Sequence, residues 1–342
     1  MFLVTGGAGF LGEVIIKYLL SKGKKVRSFD LNSPNISHKN LEVVIGDVRD
    51  SNLVNKIFER VEVVHHNIAQ VPLAKNKKLF WSVNHQGTKK LLESALISNV
   101  NHFVYTSSSA IYGVPDINPV NESTEIIPAE DYGKAKYSGE ELCNEYRLKG
   151  LNCSIVRPRT ILGEGRLGIF QILFEWIYQD LNIPVIDGGD NIYQFIHVKD
   201  LAKASIDIGN MKNGNTYNLG AEKYGSMRES IQYVIDNVGS KSRIKSVSSN
   251  YIEPLMKIAG SVGLSPLGTY HALMYGKNFY FDNSLAKKEI NYCPQYSNNK
   301  MFLESYNWYS KNRDIILEKN VSGSLHQSPI KQKLLRIVPY LI

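Results

Sequence analysis

Three cysteines are all that this chain of 342 residues contains. Cys143, Cys153 and Cys293 are odd in number and lack metal-ligand spacing. That excludes a disulfide framework and a structural zinc module, and it fits free thiols in a reducing compartment. No run of about 18 apolar residues occurs, so no membrane-spanning helix is expected. Nucleic-acid motifs and aromatic–basic repeats are missing as well, so no nucleic-acid partner is expected. The first strand pattern begins at residue 2, which leaves no room for a signal peptide and makes the cytoplasm the expected location. What is present is an ordinary globular composition, 43% hydrophobic and 21% charged, long enough for two modest domains or one domain with an added lobe. Lys and Arg number 40 against 32 Asp and Glu, a net charge of +8 that favours anionic small molecules or an anionic membrane face.

The first thirty residues carry the strongest signal. TGGAGFLG (5–12) follows the apolar run Met1–Val4 and precedes an apolar-periodic segment, Val14 to Leu20; a second apolar run ends at Asp30. Strand, glycine-rich turn, helix, strand and acid is the order that holds a dinucleotide. Gly6 permits the tight turn, Gly9 lets backbone approach a pyrophosphate, and Gly12 lets helix and strand pack closely. The helix N-terminus offers free N–H groups to phosphate. Asp30 accepts hydrogen bonds from ribose hydroxyls and repels a 2′-phosphate, so NAD is expected over NADP.

Strand and helix patterns then alternate to about residue 157: strands at 25–30, 41–47, 61–67, 102–109 and 151–158, helices near 51–59, 80–98 and 131–149. This alternation predicts an α/β fold, a doubly wound parallel sheet of Rossmann type covered on both faces, with ligands at the C-terminal strand ends. After Pro158 the pattern loosens. Phe170–Tyr178 reads as an amphipathic helix, 193–204 as strand then helix, 215–220 as a strand returning to the sheet, and 299–312 as a helix, with a Gly- and Pro-rich loop at 259–268. The expected organisation is a dinucleotide domain over 1–158 with returning segments at about 193–220. A smaller substrate-binding lobe would come from 159–192 and 221–318, followed by a tail over 319–342.

DYGKAK places Tyr132 and Lys136 at i and i+4, on one helix face. A phenol titrates at about 10. A nearby ammonium stabilises the phenolate, which would let Tyr132 act as a base, while Lys136 hydrogen-bonds a nicotinamide ribose. The pair is common on solvated helices; its weight comes from following the strand that ends in TSSS (106–109). Ser108 is the candidate to hold a substrate oxygen, whereas Ser107 and Ser109 read as satisfying backbone groups. His65 and His66 lack ligand spacing and read as structural. His197 and Asp200 read as fixing a strand–helix junction, with Asp200 as N-cap.

TGGAGFLG, Asp30, GDVRD (46–50), HHNIAQV (65–71), VNHQGT (83–88), YTSSSAIYG (105–113), YGKAK (132–136) and VRP (156–158) together resemble the extended short-chain dehydrogenase/reductases. More narrowly, they are similar to the NAD-dependent epimerase/dehydratase group, well over roughly residues 1–205 and loosely beyond. The resemblance implies that Gly6, Gly9, Phe10, Leu11 and Gly12 cradle a pyrophosphate. It implies that Asp30 binds the adenosine ribose, Asp47 and Val48 the adenine, and that Ile68, Ala69 and Gln70 line the nicotinamide side. Asn84 would brace the strand ends, the Pro158–Thr160 segment would close over the nicotinamide, and Ser108, Tyr132 and Lys136 would be the catalytic set. No metal is implied.

Departures narrow the activity. Dehydratases of the group carry an Asp–Glu pair where this chain has Ser109 and Ala110, and decarboxylases usually keep the Glu; both readings are weakened. An Asn near Thr160 and an Arg near Tyr193, frequent where a nucleotide diphosphate is bound, are missing, leaving Arg157, Arg159, Arg166 and Arg228 as other donors. RPRTILGEG (157–165) also resembles the 3β-hydroxysteroid dehydrogenase branch. Three functions follow: an NAD-dependent sugar-nucleotide epimerase, an oxidoreductase of a hydrophobic alcohol, and a non-catalytic NAD-binding module, which the catalytic set argues against. The expected partner is therefore a small molecule, either a nucleotide sugar or a hydrophobic alcohol; a homodimer is compatible with the sequence. In the tail, Ile330, Leu334, Ile337, Val338 and Leu341 recur at helical spacing among Lys331, Lys333 and Arg336. Such a stripe either docks on the protein's own body or lies in an anionic membrane interface.

Overall fold

Seven parallel strands form one sheet in a computed structural model, whose described residues are 1–70, 80–211, 213–250 and 276–318. They are β1 (Phe2–Thr5), β2 (Val26–Asp30), β3 (Leu41–Ile45), β4 (Val63–His66), β5 (His102–Thr106), β6 (Cys153–Pro158) and β10 (Thr216–Leu219). Their order is β3-β2-β1-β4-β5-β6-β10. The chain winds outward from β1 to β3, then returns to place β4 on the other side of β1, so a crevice opens between the C-terminal ends of β1 and β4. The expected doubly wound sheet is the one observed, and the 215–220 strand does return to it, as β10 beside β6.

Side chains alternate between the two faces. Val4 and Val104 join Ile15, Ile16 and Leu19 of helix α1 (Phe10–Ser21) on one face. Leu3, Phe103 and Tyr105 join the other, under α2 (Ser51–Ile57), α3 (Thr88–Ile97) and α4 (Asp131–Leu148), whose Val54, Leu91 and Leu142 are buried there. Burial on both faces accounts for the nearly continuous apolar runs FLV and FVY, since strands of a covered parallel sheet meet helices on either side.

A third cluster is aromatic and draws on distant segments. Helix α5 (Ile169–Tyr178) supplies Phe170 and Phe174, strand β9 (Phe195–His197) supplies Phe195, and α9 (Asn298–Glu318) supplies Phe302, Tyr306 and Tyr309. Phe195 and Phe302 meet edge-on at 5.0 Å and Phe170 and Phe302 at 6.0 Å, geometries that match the ring quadrupoles. Two small parallel pairs flank this cluster, β7 (Thr160–Leu162) with β9, and β8 (Ile183–Ile186) with β11 (Ile244–Val247). The remaining described helices are α6 (Val198–Gly209), α7 (Met227–Val238) and α8 (Ser284–Ile290).

Three expectations change. The helix expected over 80–98 is interrupted by a π-helical turn at Ser82–Gly87, after helical residues 80 and 81, before continuing as α3. The last helix reaches Glu318 rather than 312. Asp200 is not the N-cap of α6: the His197 ring accepts the Lys199 N–H there. The Asp200 carboxylate accepts the Gln295 and Tyr296 backbone N–H groups instead, tying the segment before α9 to α6. The loop at 259–268 and the tail from 319 lie outside the described residues, as does Val71 of the HHNIAQV motif.

Candidate functional site

The glycine turn is shaped as its spacing implies. Gly6 has φ +71°, and a Cβ there would fall 2.9 Å from the Asn67 carbonyl carbon. At Gly12 a Cβ would fall 2.0 Å from the Gly6 carbonyl oxygen, so only glycine lets α1 start this close to β1. No side chain caps α1 at Gly9, which leaves the N–H groups of its first turn directed at the crevice. Phe10 and Leu11 face the core. Asp30 ends β2 beside the turn: its carboxylate accepts the Ala8 N–H at 3.2 Å and the Asn32 N–H at 3.1 Å. Burial pushes its carboxyl above the usual aspartate range, against those amides. An uncapped helix start, a turn that admits only glycine and a carboxylate at the end of the next strand fit the phosphates and ribose of a dinucleotide.

Along the strand ends, Asn84 sits in the widened π-turn and is buried, its amide group bonding both the N–H and the C=O of Gln70 at 2.7 and 3.1 Å. The extra width of that turn is what a helix period does not signal, and it carries this side chain. Ile68, Ala69 and Gln70 are half-buried at the end of β4. Asp47 is held by its neighbour Arg49, whose side chain and N–H both bond it, and Val48 is buried against Gly87. His66 bridges the Thr5 and Thr88 hydroxyls at 2.7 and 3.0 Å, a structural role. Among the described residues no cluster of His, Cys, Asp and Glu is arranged to hold a metal.

Ser108, Tyr132 and Lys136 come together at the end of β5. Ser108 follows the strand and caps the short 3-10 turn Ser109–Tyr112; Tyr132 and Lys136 lie on the first turns of α4. Glu130 caps that helix, taking the Tyr132 and Gly133 N–H groups at 2.9 Å each. Sequence reasoning missed this cap, although an acid directly before DYG is a signal for it. The Lys136 ammonium donates to the Thr106 carbonyl at 2.7 Å. Burial pulls Lys136 down to about 8. Burial also pushes the Tyr132 phenol up to about 12, against its hydrogen bond with Ser108 and the positive charge of Arg166. The expected lowering of the tyrosine by Lys136 is not found: desolvation dominates, and the ammonium is turned to Thr106.

The neighbouring serines have other partners. Ser107 donates to Glu140 at 2.5 Å, and Glu140 in turn takes a two-pronged contact from Arg157, at 3.0 Å from Nε and 2.6 Å from Nη2. Ser109 accepts from Arg159 at 3.0 Å. Of the four arginines considered as phosphate donors, Arg157 is committed to this ion pair and to Tyr112, and Arg228 to the Gly188 carbonyl and Asp190.

The model of the NAD dependent epimerase/dehydratase family matches residues 2–220, from β1 through β10. The chain belongs to that family. It is an NAD-dependent enzyme of the extended short-chain dehydrogenase type. Family relatives include an uncharacterized protein of Sinorhizobium fredii, 50% identical over 99% of this chain and 86% of that one. A UDP-glucose 4-epimerase of Mycolicibacterium smegmatis is 30% identical over 70% of this chain and 82% of its own length. A 3-beta-hydroxysteroid dehydrogenase of Mycolicibacterium neoaurum is 26% identical over 96% of each. Among solved structures, UDP-glucose 4-epimerase from Thermotoga maritima with UDP-glucose shares the fold at a TM-score of 0.77, with 21% identity over 91% of this chain and 99% of that one.

Proposed function

We propose that the chain is a sugar-nucleotide epimerase that removes and restores a hydroxyl proton through Tyr132. The observation that carries the reading is the convergence of Ser108, Tyr132 and Lys136 at the C-terminal end of β5, on the same sheet edge as the glycine turn after β1, in a chain similar to a UDP-glucose 4-epimerase. Residues 1–158 with 193–220 would hold the dinucleotide, through Gly6, Gly9, Phe10, Leu11, Gly12, Asp30, Asp47, Val48, Ile68, Ala69, Gln70, Asn84, Tyr132, Lys136 and Pro158. Segments 159–192 and 221–318 would hold the sugar. NAD held in the dinucleotide site would supply reversible hydride acceptance. Ser108 would orient the substrate hydroxyl toward the Tyr132 oxygen. Tyr132 is a neutral phenol at rest, so its proton would first leave to water; the phenolate would then accept the substrate hydroxyl proton and give it back to the substrate oxygen. Lys136, ammonium below about pH 8, would stabilise that charge once released from the Thr106 carbonyl. Ala110 offers no carboxylate for eliminating water, which favours epimerisation over dehydration.

The second reading, oxidation of a hydrophobic alcohol, is favoured by the full-length match to a 3-beta-hydroxysteroid dehydrogenase. Incubation with NAD⁺ and a nucleotide-sugar panel separates the two. Epimer formation without net NADH is the expected result; NADH accumulating only with hydrophobic alcohols would replace it with the second reading. Among the described residues no helix is long and apolar enough to cross a membrane.

A further inference from the structure

Two arginines on either side of Pro158 differ in one respect. Arg157 is buried against Glu140, with the carboxylate at 2.6 Å. Arg159 is buried more deeply, at 1% exposure, and among the described residues no carboxylate lies within 4 Å of it. Its Nη1 donates to the Ser109 hydroxyl at 3.0 Å, but among the described residues Nε and Nη2 have no hydrogen-bond partner. Aromatic rings surround the guanidinium: Phe279 at 3.7 Å from its central carbon, Tyr193 at 4.5 Å and Phe281 at 5.6 Å. Ring faces attract a cation, yet they do not accept its in-plane N–H groups and carry no net charge. A water molecule would satisfy a donor and leave the charge. A buried, always-protonated guanidinium without a counter-ion is unfavourable unless something else supplies the anion.

The place of Arg159 indicates where that anion comes from. Ser109 directly follows Ser108, and Ser108 hydrogen-bonds Tyr132. The unpaired charge is therefore tied to the end of the site where the reacting hydroxyl would sit. Tyr193, one wall of the aromatic box, also touches Thr160 at 3.1 Å, so the box borders the segment proposed to close over the nicotinamide. Resting on the epimerase reading, we propose that Arg159 is the specificity-determining residue for an acidic sugar. Its free Nε and Nη2 would take the two oxygens of a carboxylate on the ring beside the carbon that exchanges hydride. A planar guanidinium edge with two buried, unpartnered N–H groups matches a carboxylate in a two-pronged contact. The aromatic box then encloses the pair, which strengthens it by excluding water.

The test is calorimetric titration of the NAD-loaded enzyme with UDP-glucuronic acid and UDP-glucose, in the natural chain and in Arg159→Met and Arg159→Lys. The natural chain is expected to bind the acidic sugar about 10- to 100-fold more tightly, the scale of a hydrogen bond to a charged group. Arg159→Met is expected to lose that preference, to bind NAD⁺ unchanged, and to unfold at no lower temperature than the natural chain. Arg159→Lys, which keeps the charge, is expected to retain part of the preference and carries the test if the methionine variant does not fold. Tight binding of UDP-glucose without preference for the acid overturns the inference and leaves the epimerase reading standing. Equal losses on both sugars in Arg159→Met assign the diphosphate as the anion and overturn it too. A lower unfolding temperature with the preference intact makes Arg159 structural. Binding of neither sugar overturns both readings.

Discussion

The sheet and the aromatic cluster are built by different rules, and the difference locates the chemistry. In the sheet, aliphatic side chains from short consecutive units alternate between two faces, and the buried Arg157 is paired with Glu140. In the aromatic cluster, rings from α5 and β9 meet edge-on with Phe302 of α9, more than a hundred residues on. There the buried Arg159 lacks a carboxylate partner among the described residues. The change happens across Pro158, at the end of β6. The side of Pro158 where Arg157 is paired suits a fixed dinucleotide site, and the side where Arg159 lacks a carboxylate suits a substrate that brings its own groups.

The sharpest way to test that division is at the seam itself. Tyr132→Phe is expected to lower turnover by about 10²- to 10⁴-fold while leaving NAD⁺ affinity near normal, because on the proposed reading the phenol oxygen would move the proton and contribute little to holding the dinucleotide. Steady-state rates and direct NAD⁺ titration check both halves of the statement.

Next in size is the pairing contrast. Arg157→Met strands the Glu140 carboxylate in the interior and is expected to cost about 3–5 kcal/mol in denaturant unfolding, whereas Arg159→Met is expected to cost nothing. Similar losses in the two variants would erase the distinction drawn between the halves.

Packing offers a test of independence. Phe174 is fully buried against Phe170, Tyr306 and Tyr309. Phe174→Ala is expected to cost about 3–5 kcal/mol. If the cradle is a separate unit, NAD⁺ affinity of the folded variant stays within a few-fold of the natural value.

The smallest effect is one of pH. Lys136 titrates at about 8 in the fold against an ordinary value of 10.5. The ammonium, and with it activity, is therefore expected to decline as pH rises through 8. Stability moves the other way. Between 8 and 10.5 the unfolded chain binds more protons at this lysine than the fold does, so its contribution to stability increases with pH across that window. A pH–rate profile beside thermal unfolding of the natural chain and Lys136→Met separates the two. Acid acts through the histidines: burial holds His65 and His66 neutral down to about 3, so stability is expected to fall as pH drops below their ordinary 6.5.

The cradle was legible because each part of it is local. Gly6, Gly12 and Asp30 lie within 25 residues and answer to φ, steric approach and strand length, all of which leave a mark on spacing. Tyr132 and Lys136 were legible through the helix period. The π-turn at Asn84 was not, since it breaks that period. Nor was the exchange of roles between His197 and Asp200, because the partners of Asp200 lie 95 and 96 residues away.

Periodicity and glycine spacing thus determined the sheet and the turn, and the resemblance of the motifs pointed to the family. Tertiary structure alone decided which charges are neutralised. Arg157 and Arg159 are identical side chains in the tripeptide Arg-Pro-Arg, and no local rule tells them apart. Glu140 reaches one from α4, whereas Phe279 and Phe281, more than a hundred residues on, close around the other. Electrostatic pairing depends on distance and exclusion of water, and both are set only when remote segments pack.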